Sequence, residues 1–296
     1  MMLDVASQLV FLGLAFIAGF MGALMGIGGG IIIVPFLTLV FGVPIKEAIA
    51  ISIVTVVATS ISGGSSYVEQ RITNIRLAIF LETSTTIGAF IGALLVLIVS
   101  GQYLYIVFAL LALYLAASQI LSVKKEVRKI ESNDFANIAQ DRISRYFSLR
   151  GDYFDESINH RVDYLVKNSA VGWVTSFFAG LGSGLLGIGG GVFKVSIMNL
   201  FMNVPLKAAV ATSKFMIGVT AATSAILYFV AGLLNLDYIA PVALGTMLGA
   251  TAGTALMNKI KVKWLKILFS LLMCYIGYSM LGKGLLLVLG VRLPFV

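Results

Sequence analysis

Long apolar runs divided by short polar breaks dominate the chain, and most of the runs are of membrane-spanning length. In the N-terminal half the pattern predicts a helix over about 6–26, a glycine-rich break, and a short apolar return segment over about 30–42. Three fuller helices follow over about 44–66, 75–99 and 102–123, and the C-terminal half repeats the order, with counterparts over about 205–231, 237–257 and 263–281. Little polar alternation interrupts the runs, as expected of helices that meet protein on one side and lipid on the other.

The halves are related by a shift of 161 residues without a gap. MGIGGGIIIVP at 25–35 returns as LGIGGGVFKVS at 186–196. Val43, Pro44 and Lys46 match Val204, Pro205 and Lys207; Ser52 matches Ser213, Thr59 matches Thr220, and Asn74 matches Asn235. Between residues 18 and 60, 17 of 43 positions equal their partners, more than shared membrane composition supplies, so the chain is read as a duplicated unit.

Basic residues orient the two copies. The loop SGQ at 100–102 is uncharged, whereas its equivalent NKIKVKWLK at 258–266 carries four lysines. Arg71 and Arg76 mark the loop before the helix over about 75–99 as internal, and the matching AGLLNLD has no basic residue. By the positive-inside rule equivalent loops lie on opposite faces, which predicts inverted-topology repeats, a cytoplasmic connector and an N-terminus outside. The fold class expected is an all-α polytopic membrane protein with two inverted repeats and glycine-broken helices, either re-entrant or discontinuous. Its parts are a first repeat at 1–123, a connector at 124–167 and a second repeat at 168–296. The connector is the one hydrophilic region; it reads as a solvated tether or as a docking element, with RYFSLRGDYFDE at 145–156 a candidate hairpin around Arg150 and Gly151.

Composition sharpens this picture. The chain is 59% hydrophobic and 11% charged, with a mean hydropathy of +1.01, which points to a protein of the lipid bilayer. Its net charge of +8 sits mainly in loops beside apolar segments, so membrane topology explains it and a nucleic-acid partner is not expected. The first apolar run follows no basic segment and precedes no small-residue cleavage pattern, and it reads as a retained helix. A single cysteine, Cys274, and a single histidine, His160, exclude an internal disulfide and argue against metal or haem cofactors. No Ser/His/Asp set supports an enzyme.

Glycine lets a chain leave helical geometry, yet backbone freed within a bilayer must be buried in protein or face water. After each GIGGG a new helix begins, and its first amides and positive dipole end form a candidate anion site. The candidate residues are Gly26, Gly28, Gly29 and Gly30 in the first copy and Gly187, Gly189, Gly190 and Gly191 in the second. The plainer alternative is that these glycines only allow close packing. The spacing is not that of a dinucleotide-binding loop.

Three ionisable residues fall within apolar runs: Glu82, Lys194 and Lys214. Each costs roughly 2.5–3.5 kcal/mol near a helix centre, so each is expected to face the protein interior or water. Glu82 and Lys214 enter from the same side at similar depth, so they are expected to pair, either statically or with partner exchange when an anion arrives; Glu82 is the candidate proton carrier. Lys194, matched by Ile33, can supply an asymmetric positive charge to the anion or snorkel to the interface. Ser52 and Ser213 lie eight residues beyond the prolines, with Thr55, Thr59, Thr212, Thr220 and Thr223 nearby; these hydroxyls can coordinate an oxyanion or satisfy their own backbone.

GFMGALMGIGGGIIIVPFL, its second copy AGLGSGLLGIGGGVFKV, and the VPIKEAIAIS and VPLKAAVATSKFMIG segments resemble the TauE/SafE sulfite exporter family, also called the TSUP family of anion permeases. The resemblance extends over nearly the whole chain. It implies a proton-linked permease of the cell membrane for small sulfur oxyanions such as sulfite, thiosulfate or organosulfonates, the alternative being an anion channel or a carrier of another small anion such as a carboxylate. It carries Gly26 to Gly30, Gly187 to Gly191, Ser52 and Ser213 over as site elements. Ile51-Ser52 stands where many relatives have Thr-Ser, as Thr212-Ser213 does here, so the halves are not expected to contribute equally.

Overall fold

A computed structural model describes residues 5–25, 28–132, 135, 138–156, 159–257 and 262–294. The first half holds α1 (Val5–Met25), α2 (Gly30–Leu39), α3 (Ile45–Glu69), α4 (Ile75–Ile98) and α5 (Gly101–Ser132). The connector holds α6 (Arg142–Tyr146) and a hairpin of β1 (Arg150–Asp155) and β2 (His160–Leu165). The second half holds α7 (Ser169–Leu186), α8 (Gly191–Ser196) with a π-helical turn over Ile197–Phe201, α9 (Leu206–Val230), α10 (Leu236–Met257) and α11 (Val262–Leu289). Among the described residues six helices are long and apolar enough to cross a membrane: α3, α4, α7, α9, and the stretches Leu236–Leu256 and Ser270–Leu289 of α10 and α11. The molecule is an all-α polytopic membrane protein with one small hairpin.

The ends of the helices follow from local chemistry. Pro44 and Pro205 hold extended turns that launch α3 and α9. Asn74 caps α4, its side chain accepting from the Leu77 amide at 3.1 Å. Two helices run past their expected ends at about 123 and 281: α5 continues to Ser132 and α11 to Leu289. In α5 the extension is built from KKEVRKIES, whose straight-chain residues are good helix formers outside a bilayer.

The 161-residue recurrence is present in the backbone. Left-handed φ angles recur at Gly28 and Gly189, Gly29 and Gly190, Gly42 and Asn203, and Arg71 and Gly232. Tyr67 donates its hydroxyl to the Ala23 carbonyl, and Tyr228 donates to the equivalent Gly184 carbonyl. Packing is exchanged between the halves: α1 lies along α10 and α4 along α7, while α3 meets α9 and α5 meets α11. The exchange depends on small residues. A methyl group at Gly249 would sit 2.0 Å from the Phe16 carbonyl oxygen, and one at Gly88 would sit 2.0 Å from that of Phe177. Gly245, Gly249 and Gly253 thus let α10 run parallel to α1, past Leu12, Phe16 and Phe20, with van der Waals packing as the gain. Outward faces carry Ile79, Ile98, Phe178, Phe229 and Leu248, the apolar exterior that lipid requires.

The connector packs against the membrane helices of its own chain. The hairpin expected within 145–156 around Arg150 and Gly151 is not formed; those residues instead open the first strand of a hairpin over 150–165, whose strands pair antiparallel from Arg150 with Leu165 to Asp155 with His160. Tyr153, Val162 and Tyr164 face inward. Asp155 makes a 2.6 Å ion pair with Lys207 at the start of α9, both side chains being buried. Asn74 joins three elements: its side chain donates to the Arg150 carbonyl at 3.2 Å and to the Tyr164 hydroxyl at 3.1 Å, and its amide donates to Thr212 Oγ1 on α9 at 3.0 Å. Burial pushes the Tyr164 phenol up to about 12, against the lowering effect of the Asn74 bond, so Tyr164 is an uncharged partner at neutral pH.

Candidate anion site

The two glycine breaks meet. Gly28 and Gly29 have φ of 85° and 82°, Gly189 and Gly190 of 71° and 68°, a conformation that side chains disfavour and that turns the chain sharply out of α1 and α7. Gly28 and Gly189 both pack on the same two side chains, Val56 of α3 and Ile217 of α9: a Cβ at Gly28 would lie 3.0 Å from Val56 Cγ1, and one at Gly189 would lie 2.6 Å from it and 2.9 Å from Ile217 Cγ2. Val56 and Ile217 are themselves 161 residues apart, so they form the centre of the repeat and are fully buried. At Gly30 a methyl group would lie 2.4 Å from the Gly187 carbonyl oxygen, which puts the start of α2 against the second break. Both helix starts, Gly29 before α2 and Gly190 before α8, lack a side-chain cap. Gly26 lies outside the described residues, as do residues 258–261 of the lysine-rich loop.

The matched hydroxyls fasten these breaks. Ser52 donates to the Gly187 carbonyl at 2.8 Å, Ser213 to the Gly191 carbonyl at 3.2 Å, and Thr59 to the Gly28 carbonyl at 3.1 Å. A serine has one proton to give, so Ser52 in this state can offer an anion no donor. Its role visible in the geometry is to tie α3 to the opposite half's break.

The buried charges pair differently from the expectation. Glu82 reaches Lys194, Nζ to Oε2 at 3.2 Å, with the Lys194 side chain fully buried and that of Glu82 12% exposed. Thr220 of α9 bridges them, accepting from Lys194 Nζ and donating to Glu82 Oε1. Thr85 and Thr86 complete the carboxylate's shell, donating to Oε2 at 2.9 Å and to Oε1 at 3.2 Å. Lys214 is absent from this cluster. It shares α9 with Thr220, but six residues at ~100° each put the two on different faces of the helix. Lys214 points instead across α3 and α10, with its Cε 2.8 Å from where a Cβ of Gly63 would stand, beside Thr254. Lys194 does not snorkel. Glu82 also lines an open groove of about 490 Å3 with Ile79, Thr83, Thr86, Phe215 and Val219, which leaves it the accessible member of the pair.

Thr85, Thr86 and the Asn74 junction escaped the sequence reading. A glutamate followed at three and four residues by threonines was the available signal for the first two, since those positions share a helix face.

The sequence profile described as "Sulfite exporter TauE/SafE" matches residues 11–280. The chain belongs to the TauE/SafE family. Among relatives of this TauE/SafE protein, the probable membrane transporter protein YunE of Bacillus subtilis is 28% identical over 94% of this chain and 97% of its own. A second, the probable membrane transporter protein YdhB of the same organism, is 27% identical over 86% of this chain and 92% of its own. No solved structure matches the chain. This TauE/SafE protein is therefore a multi-pass membrane transporter and not an enzyme.

Proposed function

We propose that this protein is a proton-linked secondary transporter of small sulfur-containing oxyanions in the cell membrane. The anion is held between the starts of α2 and of α8 with its π-helical turn, and Glu82 carries the proton. One observation carries the reading: the two glycine breaks, far apart in sequence, lie on a single Val56–Ile217 pair. Two uncapped helix starts that converge there bring backbone donors and positive dipole ends to one place, a combination suited to an oxyanion. The halves act as inverted repeats, with the connector cytoplasmic and the N-terminus outside; the antiparallel contact of α3 with α9, in which Ser60 bonds the Lys214 carbonyl at 2.6 Å, supports this. Val56 and Ile217 fill the centre, so the cycle parts α3 from α9 to admit the anion. Glu82 suits proton carriage because it is the groove-facing half of a buried pair, and protonation would release Lys194.

The test is uptake of labelled sulfite, thiosulfate and taurine into proteoliposomes under an imposed pH gradient. Gly28→Val and Gly189→Val are expected to abolish uptake while the protein remains folded in the membrane, because each side chain would collide with Val56 in a left-handed backbone. Wild-type uptake by both variants would refute the anion site. Saturable transport of a carboxylate with none of sulfite would replace the substrate class.

A further inference from the structure

Lys214 is fully buried, and its Nζ has no hydrogen-bond partner among the described residues. Among the described residues no carboxylate of the surrounding helices makes an ion pair with it. In α9 there is no acidic residue; in α3 the acids are Glu47 and Glu69, near the ends, and in α10 the acid is Asp237, in the first turn. Glu82, the intramembrane acid of α4, is committed to Lys194 and Thr220. A buried ammonium without a counter-charge is costly, and such residues in membrane proteins mark ion paths.

The surroundings are small and polar on one side and grooved on the other. The lysine stem crosses Gly63, where a Cβ would lie 2.8 Å from Lys214 Cε and 3.1 Å from Thr254 Cγ2. Separately, an open groove of about 560 Å3 between α3 and α9 is lined by Ser60, Gly64, Ser65, Glu69, Phe215 and Gly218; Lys214 follows directly before the groove-lining Phe215 and is itself closed off from it. Along α9, Ser213 holds the Gly191 carbonyl and Ile217, one turn on from Lys214, packs on both breaks. The Lys214 backbone therefore stands one turn along α9 from the glycine centre, while its side chain runs to Gly63, about two turns along α3 from Val56.

We propose that Lys214 is the cationic residue of a second anion subsite, between α3, α9 and α10, which takes a small oxyanion as its counter-charge and passes it to the glycine breaks. The proposal rests on the reading of the chain as an anion transporter. It differs from that reading in assigning binding to a side chain outside the breaks.

The experiment is thermal unfolding of the full chain in detergent across concentrations of sulfite, thiosulfate, sulfate and chloride, since a ligand of the folded form raises the midpoint. In the wild type the midpoint is expected to rise with at least one sulfur oxyanion. Lys214→Met is expected to raise the anion-free midpoint, because an unpaired charge leaves the interior, and to weaken the apparent anion affinity about ten-fold or more. Lys214→Gln, a polar neutral alternative should the first variant misfold, is expected to weaken it likewise, and Lys214→Arg to retain it. Full anion response in both neutral variants, together with its loss in Gly28→Val, would overturn the Lys214 subsite and leave the glycine site standing. No response in the wild type to any of the anions would overturn both.

Discussion

Replacing Lys194 by Met tests the charge cluster most directly. The variant strands the Glu82 carboxylate in a site where its side chain is 12% exposed, although Thr85, Thr86 and Thr220 remain as donors. Removing one member of a buried ion pair costs about 3–5 kcal/mol, and the three hydroxyls place Lys194→Met near the lower end. Glu82→Gln strands a fully buried ammonium whose other partner in the cluster is Thr220, so its cost belongs near the upper end. The double variant leaves no charge and is expected to lie closer to wild type than either single change, a coupling of about 3 kcal/mol or more. The assay is equilibrium unfolding of all four proteins in one detergent, read as a double-mutant cycle. Single costs that add to within about 0.5 kcal/mol would refute the pairing, because residues that share a buried contact do not behave independently. On the transport side, Glu82→Gln is expected to keep anion binding and lose its dependence on a pH gradient; unchanged coupling would make the cluster structural only.

Two further perturbations address the scaffold. Asp155→Ala should leave Lys207 buried beside a lost partner, loosening the hairpin from α9; limited proteolysis is expected to cut the connector faster while the apolar helices stay protected, and unchanged cleavage would show that the other contacts suffice. Gly249→Ala places a methyl group 2.0 Å from the Phe16 carbonyl oxygen and is expected to lower stability by about 1–3 kcal/mol, whereas Gly13→Ala on α1, with nothing within 4 Å, should be neutral or mildly stabilising. Equal melting of these two variants would refute the close approach of α1 and α10.

The helices were legible because apolar runs of spanning length are separated by Pro, Asn and Gly turns, and the recurrence because glycines, prolines and serines return at one spacing. The meeting of the glycine breaks was legible only as a consequence of the duplication. The partner of Glu82 was not. In a bilayer a helix is apolar on its buried and its lipid-facing sides alike, so hydrophobic periodicity does not say which face of α9 carries Lys214 and which carries Thr220. Depth along the helix gave Lys214 the right level and the wrong direction. The docking of the connector was hidden for a different reason. Asp155 and Lys207 are ordinary charges in sequence, and their burial exists only once the hairpin closes over the start of α9.

The crossed packing of the two halves has a consequence for how the protein is made. Helix α1 leaves the ribosome well before its partner: the glycine stripe it rests on, from Gly245 to Gly253, is synthesised about 230 residues later, a delay of about 10–50 s at ordinary elongation rates. The α4–α7 contact, by contrast, closes after about 90 residues, since Gly88 meets Phe177. Assembly in the bilayer therefore proceeds from the middle of the chain outward, and α1 waits in lipid without its main partner until α10 inserts. A nascent chain interrupted before α10 retains an unfilled face on α1, so the synthesis of residues 236–257 decides whether the first helix is packed.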